Sequence, residues 1–196
     1  MDKNSAINNV EEKIINAAIE CIEKFGIHGA TNRRIATMAG VNSAAINYYF
    51  RTKEALIERC RLTTLDNAFG WKTIPNLAGT TNKEKCILLL TEFMEGGLNY
   101  PGISRFHLYD LLFEGKNEGL LTERFNFFIQ SFSAELASGN PEVEISEIQI
   151  ACVQMISSIL LMTLTPRLFE KISLDLTCKE DRQKYIVSLV DKLITF

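Results

Sequence analysis

Histidine is nearly missing from this chain. His28 and His107 are the only two among 196 residues, which leaves little for metal binding or proton transfer at neutral pH. The sequence also has no P-loop, no dinucleotide-binding glycine fingerprint and no nucleophile elbow, so the common nucleotide-binding and hydrolase chemistries have no footing in it. Its five cysteines, Cys21, Cys60, Cys86, Cys152 and Cys178, are odd in number, widely spaced and without a C-x-x-C pair. They read as reduced thiols of a cytoplasmic protein, most of them filling the core. Residues 1 to 15 are polar and charged and carry no secretory signal. No low-complexity segment, internal repeat or alternating strand pattern is present, and only four prolines interrupt the chain. These absences leave an all-α protein for which neither catalysis nor a cofactor is expected.

The composition, 46% hydrophobic and 23% charged, is that of a chain able to bury a sizeable core as one large domain or two small ones. Its net charge of -3 is unevenly spread. Residues 1–61 hold nine Lys and Arg against seven Asp and Glu, whereas residues 62–196 hold twelve against seventeen. Binding a nucleic-acid backbone needs local positive charge, and the basic end of this chain is its first third.

Within that basic end, residues 31 to 53 read as two short helices joined at Ala39-Gly40-Val41, a helix-turn-helix. Thr31 is placed to cap the first helix, and Ile35, Met38 and Ala39 share one face of it. Gly40 stands where a left-handed residue ends the helix, and Asn42 is a good cap for the second. Ile46 and Phe50 then face inward while Ser43, Ala44 and Asn47 face out, and Thr52 is placed to cap a fourth helix beginning at Lys53. The second helix of such a unit has the size to enter the DNA major groove. Asn47 would meet an adenine edge and the Ala44 methyl a thymine methyl. Thr31, Asn32 and Arg33 would grip the DNA backbone, and Lys53, in the first turn of its helix, would face a phosphate. Arg34 reads equally as a surface charge, and Phe25, Ile35, Ile46 and Phe50 read as core.

The remaining periodicity predicts helices near 9–25, 32–39, 43–49, 53–70, 83–98, 103–115, 118–137, 142–165 and 181–195. Breaks fall at Pro75 to Gly79, Tyr100 to Gly102 and Gly139 to Pro141, the last read as an Asn140 cap with Pro141 opening a helix. The uncharged stretch Ile148 to Pro166 approaches the length of a membrane span, but Gln149, Gln154, Ser157 and Ser158 interrupt it and no aromatic belt flanks it. A helix apolar nearly all round is instead buried on more than one side, the economical arrangement being its own domain on one side and a second subunit on the other. A matching stripe runs through Ile186, Leu189, Val190 and Leu193.

The first 60 or so residues resemble the DNA-binding domain of the TetR family of bacterial transcriptional repressors. The resemblance rests on Ala17, Ala18, Ile22 and Phe25 before Gly26, on Thr31, Ile35-Ala36 and Ala39-Gly40-Val41, on Ile46 to Phe50, and on Lys53 with Leu56. Ala44-Ala45 and Asn47 depart from the commoner Gly-Thr and Tyr on the reading face, so no operator sequence carries over from a relative. The resemblance implies that Tyr48 bonds a phosphate and that Tyr49 divides between backbone contact and packing. It also implies a DNA-binding domain at 1–52, a helical effector-binding and dimerisation domain at 53–196, and a homodimer on a palindromic double-stranded operator. Cys152, Ile156 and Ile159 would join Ile186, Leu189, Val190 and Leu193 at the dimer seam. A small hydrophobic effector would sit among Phe93, Phe106, Tyr109, Phe113, Phe127 and Met155, with Trp71, His107 and Asp110 as polar contacts. His107, Asp110 and Glu114 share one helical face, which reads as a solvated polar surface ahead of a metal or acid-base site. The expected function is ligand-responsive repression. The alternative is a DNA-binding protein of this fold that acts through a protein partner at many chromosomal sites.

Overall fold

The computed structural model describes residues 3–69, 81–169, 171 and 174–195, with side chains from Asn9 onward. Among the described residues the regular structure is helical, with no strand: α1 Lys3–Gly29, α2 Asn32–Ala39, α3 Ser43–Phe50, α4 Lys53–Phe69, α5 Asn82–Asn99, α6 Pro101–Phe113, α7 Leu120–Ser138, α8 Ile145–Leu164 and α9 Lys179–Leu193, with a short 3-10 turn at Pro166–Phe169. The expected helices are all present. Gly26, at φ 71 and ψ 172, interrupts α1 one residue after its predicted end. The expected break at Pro75 to Gly79 lies outside the described residues.

One helix start is corrected. Asn140 does not cap α8. Its N–H closes the end of α7 on the Ala137 carbonyl at 2.9 Å, and its carbonyl accepts from Val143 at 3.1 Å. Pro141 therefore occupies the second position of a β-turn, a place its fixed φ also suits, and α8 begins at Ile145 after Glu144. Proline at a helix start and proline in a turn share one local signature.

The chain forms two compact units. The first comprises Met1–Asn67 and Tyr100–Leu120. Ile14, Ala18, Cys21 and Ile22 make a buried stripe on α1 at helical spacing, and Ile35, Ala36, Ile46, Phe50, Leu56, Cys60 and Phe106 complete the core. Each fully buried aliphatic side chain contributes about 1.5–3 kcal/mol. α6 enters this unit at Gly102. An added Cβ there would lie 2.3 Å from the Glu23 carbonyl oxygen. That absence of a side chain lets the two backbones meet, and the Glu23 carboxylate accepts from the N–H groups of Gly102 at 3.1 Å and Ile103 at 2.8 Å. Tyr100, in the cap position of α6, supplies no side-chain bond, so a residue 79 positions earlier in sequence caps the helix in its place.

The second unit comprises Ala68–Asn99 and Leu121–Phe196. Its core joins Cys86, Leu90 and Met94 of α5, Phe128, Phe132 and Leu136 of α7, Ile148, Met155 and Met162 of α8, and Ile186 and Val190 of α9. α8 is long and apolar enough to cross a membrane, but Ile148, Ala151, Cys152, Met155, Ile156, Ile159 and Met162 all lie in this core. Of the expected seam residues, Cys152, Ile156, Ile159, Ile186 and Val190 are buried within the chain itself, whereas Leu189 and Leu193 are partly buried against the same core. The apolar residues that α8 leaves exposed are Ile145, Ile150, Val153 and Leu161. Cys21, Cys60, Cys86 and Cys152 are buried free thiols. Burial pushes Cys60, Cys86 and Cys152 up to about 12, which keeps them protonated and unreactive at neutral pH.

Candidate nucleic-acid interface

Each corner of the helix-turn-helix has its own closure. The Thr31 hydroxyl accepts the Arg34 N–H at 3.3 Å, satisfying one of the free donors at the start of α2. At the other end Gly40 is left-handed, with φ 66 and ψ 33. Its N–H reaches the Thr37 carbonyl at 3.3 Å, and the Val41 N–H reaches that of Ala36 at 3.0 Å, the paired bonds of a Schellman ending. Asn42 follows at once, its side-chain oxygen accepting from Ala44 at 3.0 Å. Val41 and Ala45 pack against the core of the first unit, and only three residues, Gly40, Val41 and Asn42, separate α2 from α3, with their angle set by both caps.

The α3–α4 connection contains a residue that sequence reasoning missed. Arg51 has φ 61 and ψ -49, the only positive φ on a non-glycine among the described residues. The Thr52 N–H closes on the Phe50 carbonyl at 2.7 Å across it, forming a γ-turn of the strained hand. Thr52 then caps α4, accepting from Ala55 at 3.1 Å. Arginine is not a residue that signals positive φ, so nothing in the sequence marked the turn. The result is an exposed cation between α3 and Lys53.

On α3, Ile46 and Phe50 are buried, while Ser43, Ala44, Asn47 and Tyr48 are exposed, Tyr48 at 77%. Tyr49 is half-buried against the core and meets the Tyr48 ring edge-on at 5.2 Å. Lys53 is half-buried and Arg33 exposed. Asn32 is half-buried, and its side-chain oxygen is enclosed without a hydrogen-bond partner. Between Glu23 and Glu54 the chain has no acidic residue, and Lys24, Arg33, Arg34, Arg51 and Lys53 fall in that interval. The net-negative chain therefore carries a wholly cationic segment at the element sized for a groove. Phe25 is corrected: it is 50% exposed and not core.

The expected effector residues divide between the units. Phe93 and Met155 belong to the second core and Phe127 is exposed on α7, whereas Phe106, His107, Tyr109, Asp110 and Phe113 stand on α6 in the first unit. Trp71 lies outside the described residues. Those on α6 already have partners. Arg61 lies 4.4 Å over the Phe106 ring and bonds Asp110 at 3.1 Å. His107 Nε2 is 2.8 Å from the Thr64 hydroxyl, and His28 Nε2 is 3.1 Å from the Tyr109 hydroxyl. The solvated-face reading of His107, Asp110 and Glu114 is also corrected: His107 is buried, Asp110 pairs with Arg61, and Glu114 pairs with Lys116 at 2.6 Å. A recess between α5 and α9, lined by Thr91, Met94, Glu95 and Arg182 among others, holds about 10 Å³, room for one water.

Burial, helped by the neighbouring Arg61 charge, lowers His107 from 6.5 to about 4. The unfolded chain thus binds this proton before the folded one does. Stability is full above about pH 6.5 and falls as the pH drops toward about 4, by roughly 3 kcal/mol if the shift is fully expressed. Denaturant midpoints measured across that window should fall more steeply for the wild type than for His107→Gln; parallel curves would remove His107 as the cause.

Residues 14–60 match the family profile described as "Bacterial regulatory proteins, tetR family". The HTH-type transcriptional regulator RutR of Escherichia coli (strain K12) is 37% identical over 54 residues, which is 28% of this chain and 26% of RutR. BetI, an HTH-type regulator of Escherichia coli O139:H28, is 44% identical over 46 residues, 24% of each protein. The matches thus span about a quarter of the length of these curated relatives. In three dimensions the fold is similar over nearly its whole length to FadR of Bacillus subtilis, solved in complex with stearoyl-CoA. The TM-score is 0.64 at 18% identity, covering 94% of this chain and 97% of that one. Residues 14–60, with each cap of the helix-turn-helix in place, thus form a segment similar to the DNA-binding domain of the TetR family of bacterial regulatory proteins.

Proposed function

We propose that this protein is a transcriptional repressor that binds a palindromic DNA operator as a homodimer and is released by a small hydrophobic effector. The observation that carries the reading is the exposed face of α3, Ser43, Ala44, Asn47 and Tyr48, rimmed by cations and free of acidic residues. Asn47 reads a base edge, Ser43 and Ala44 contact the groove, and Tyr48, Tyr49, Lys53 and Arg51 hold phosphates, with Thr31, Asn32 and Arg33 on the neighbouring backbone. Residues 1–52 do the reading, and 53–196 supply dimerisation and the effector response. The exposed apolar row of α8, Ile150, Val153 and Leu161, is the face for a second copy. The apolar character of the effector is supported by FadR, solved with stearoyl-CoA, and by the aromatic cluster of Phe69, Phe93, Phe125 and Phe128. The effector must favour the DNA-incompetent arrangement, since equal affinity for both states shifts nothing. The protein acts in the bacterial cytoplasm, on its own gene and on neighbouring transport or detoxification genes.

Selection of bound fragments from sheared genomic DNA with purified protein tests the reading. A palindromic site beside a few promoters is expected, and absence of any enrichment refutes it. Lys53→Ala and Tyr48→Phe should weaken binding to every sequence, Lys53→Ala also lowering the slope of log affinity against log salt by about 1.8, two phosphate contacts being lost per dimer. Asn47→Ala should relax preference at one position by roughly 1–3 kcal/mol. Unchanged base preference would remove Asn47 from the reading face. Leu112 and Phe113, 63% and 75% exposed at the end of α6, favour a second reading in which a protein partner replaces the effector. Many dispersed binding sites would support that one.

A further inference from the structure

Arg34 stands at the third position of α2, where a cation opposes the helix dipole and where a carboxylate more often reaches back to the cap. Arg34 is exposed, and its guanidinium is engaged by its own chain. Nη1 donates to the Gly29 carbonyl at 2.6 Å, and the guanidinium carbon lies 4.3 Å from the centre of the Phe25 ring. The same Gly29 carbonyl accepts the Thr31 N–H at 3.0 Å, and the Ala30 N–H closes on Gly26 at 3.1 Å. Arg34 also donates its backbone N–H to the Thr31 hydroxyl. Side chain and main chain of one residue therefore tie the segment that leaves α1 to the first turn of α2. This explains why Phe25 is half out of the core: its face is the platform for the guanidinium.

We propose that Arg34 is a positioning residue for DNA binding, acting through the Gly26–Thr31 turn and not by touching phosphate. The proposal rests on the DNA-binding reading above. It separates Arg34 from its neighbour Arg33: both are exposed, but only Arg34 has its guanidinium engaged with Gly29 and Phe25 among the contacts described. With the clamp open, Thr31 and the start of α2 lose their fixed angle to α1, and the backbone contacts they make lose register, whatever the base sequence.

The test uses the full-length protein on a random-sequence duplex of about 30 base pairs, long enough for two half-sites a helical turn apart. Affinity is measured against salt for Arg34→Ala, Arg34→Lys and Phe25→Leu, with hydrogen exchange of the free protein alongside. Arg34→Ala and Arg34→Lys should each weaken binding about tenfold with the salt slope unchanged, because the lost group is a fork and a stacking plane and not a phosphate charge. Phe25→Leu should weaken it similarly and add little to Arg34→Ala in the double variant. The Ala30 and Thr31 amides should exchange faster in all three variants. A slope reduced by about 1.8 per dimer in Arg34→Ala, with Arg34→Lys binding like wild type, would make Arg34 a phosphate contact and overturn the proposal. So would wild-type affinity in Arg34→Ala. Loss of all DNA binding by the wild type, with the amides still responding, would instead sink the DNA-binding reading and leave Arg34 a clamp of the turn alone.

Discussion

Replacing Gly102 by alanine is expected to lower the melting temperature by roughly 10 °C. The new Cβ would meet three backbone atoms of Glu23, the carbonyl oxygen at 2.3 Å, Cα at 2.7 Å and the carbonyl carbon at 2.8 Å, and none of them can swing aside as a side chain would. α6 has to withdraw from α1. Overpacking of this kind costs about 1–3 kcal/mol. The withdrawal also stretches the two bonds from Gly102 and Ile103 to the Glu23 carboxylate, and hydrogen bonds to a charged group are worth about 1.5–3 kcal/mol each. Partial loss of both brings the total to roughly 4 kcal/mol, which at about 2–4 °C per kcal/mol for a chain of this size gives the stated shift. Glu23→Gln keeps the packing and weakens only the cap, so its effect should be less than half as large. A thermal melt of Gly102→Ala that overlays the wild type would mean that α6 gives way without cost, and the close approach would carry no weight in holding the first unit together.

The double variant Ile150→Asp, Leu161→Asp is expected to be monomeric in sedimentation and to lose operator affinity by about 10²–10⁴-fold, the range by which linked sites exceed single ones. Both residues are exposed in the single chain, at 58% and 50%, so aspartate there removes nothing from the monomer's core. In a dimer sharing that face, four carboxylates would be enclosed against one another. The contrast is with Val190→Asp, which buries a charge inside the second unit and should unfold it. A dimer that survives the Ile150 and Leu161 changes would move the subunit contact to another face.

Much of the helix-turn-helix was legible because its signals are local. Thr31, Gly40 and Asn42 each act on amides within a few residues, and Ile35, Ile46 and Phe50 face inward by helical period alone. What escaped was set by partners far away in sequence or by symmetry of pattern. α8 is apolar on nearly every side from Ile148 to Leu164, so its period could not say that Cys152, Ile156 and Ile159 turn into the chain's own core. Phe25 looked like core because an aromatic at helical spacing usually is; the arginine that lies on it comes nine residues later, in another helix. The pairing of Gly102 with Glu23 has no signature in either segment read alone.

That pairing makes the first unit discontinuous, with Tyr100–Leu120 completing a core begun by Met1–Asn67. During synthesis, at about 5–20 residues per second, the leading segment leaves the ribosome seconds before the helix bearing Phe106. Until then Glu23 has no amides to hold and one wall of the hydrophobic centre is open to water. A nascent chain in that interval holds an unfinished first unit, whose core closes only after Leu120 has been made. A fragment cut at residue 67 would remain in that unfinished condition permanently.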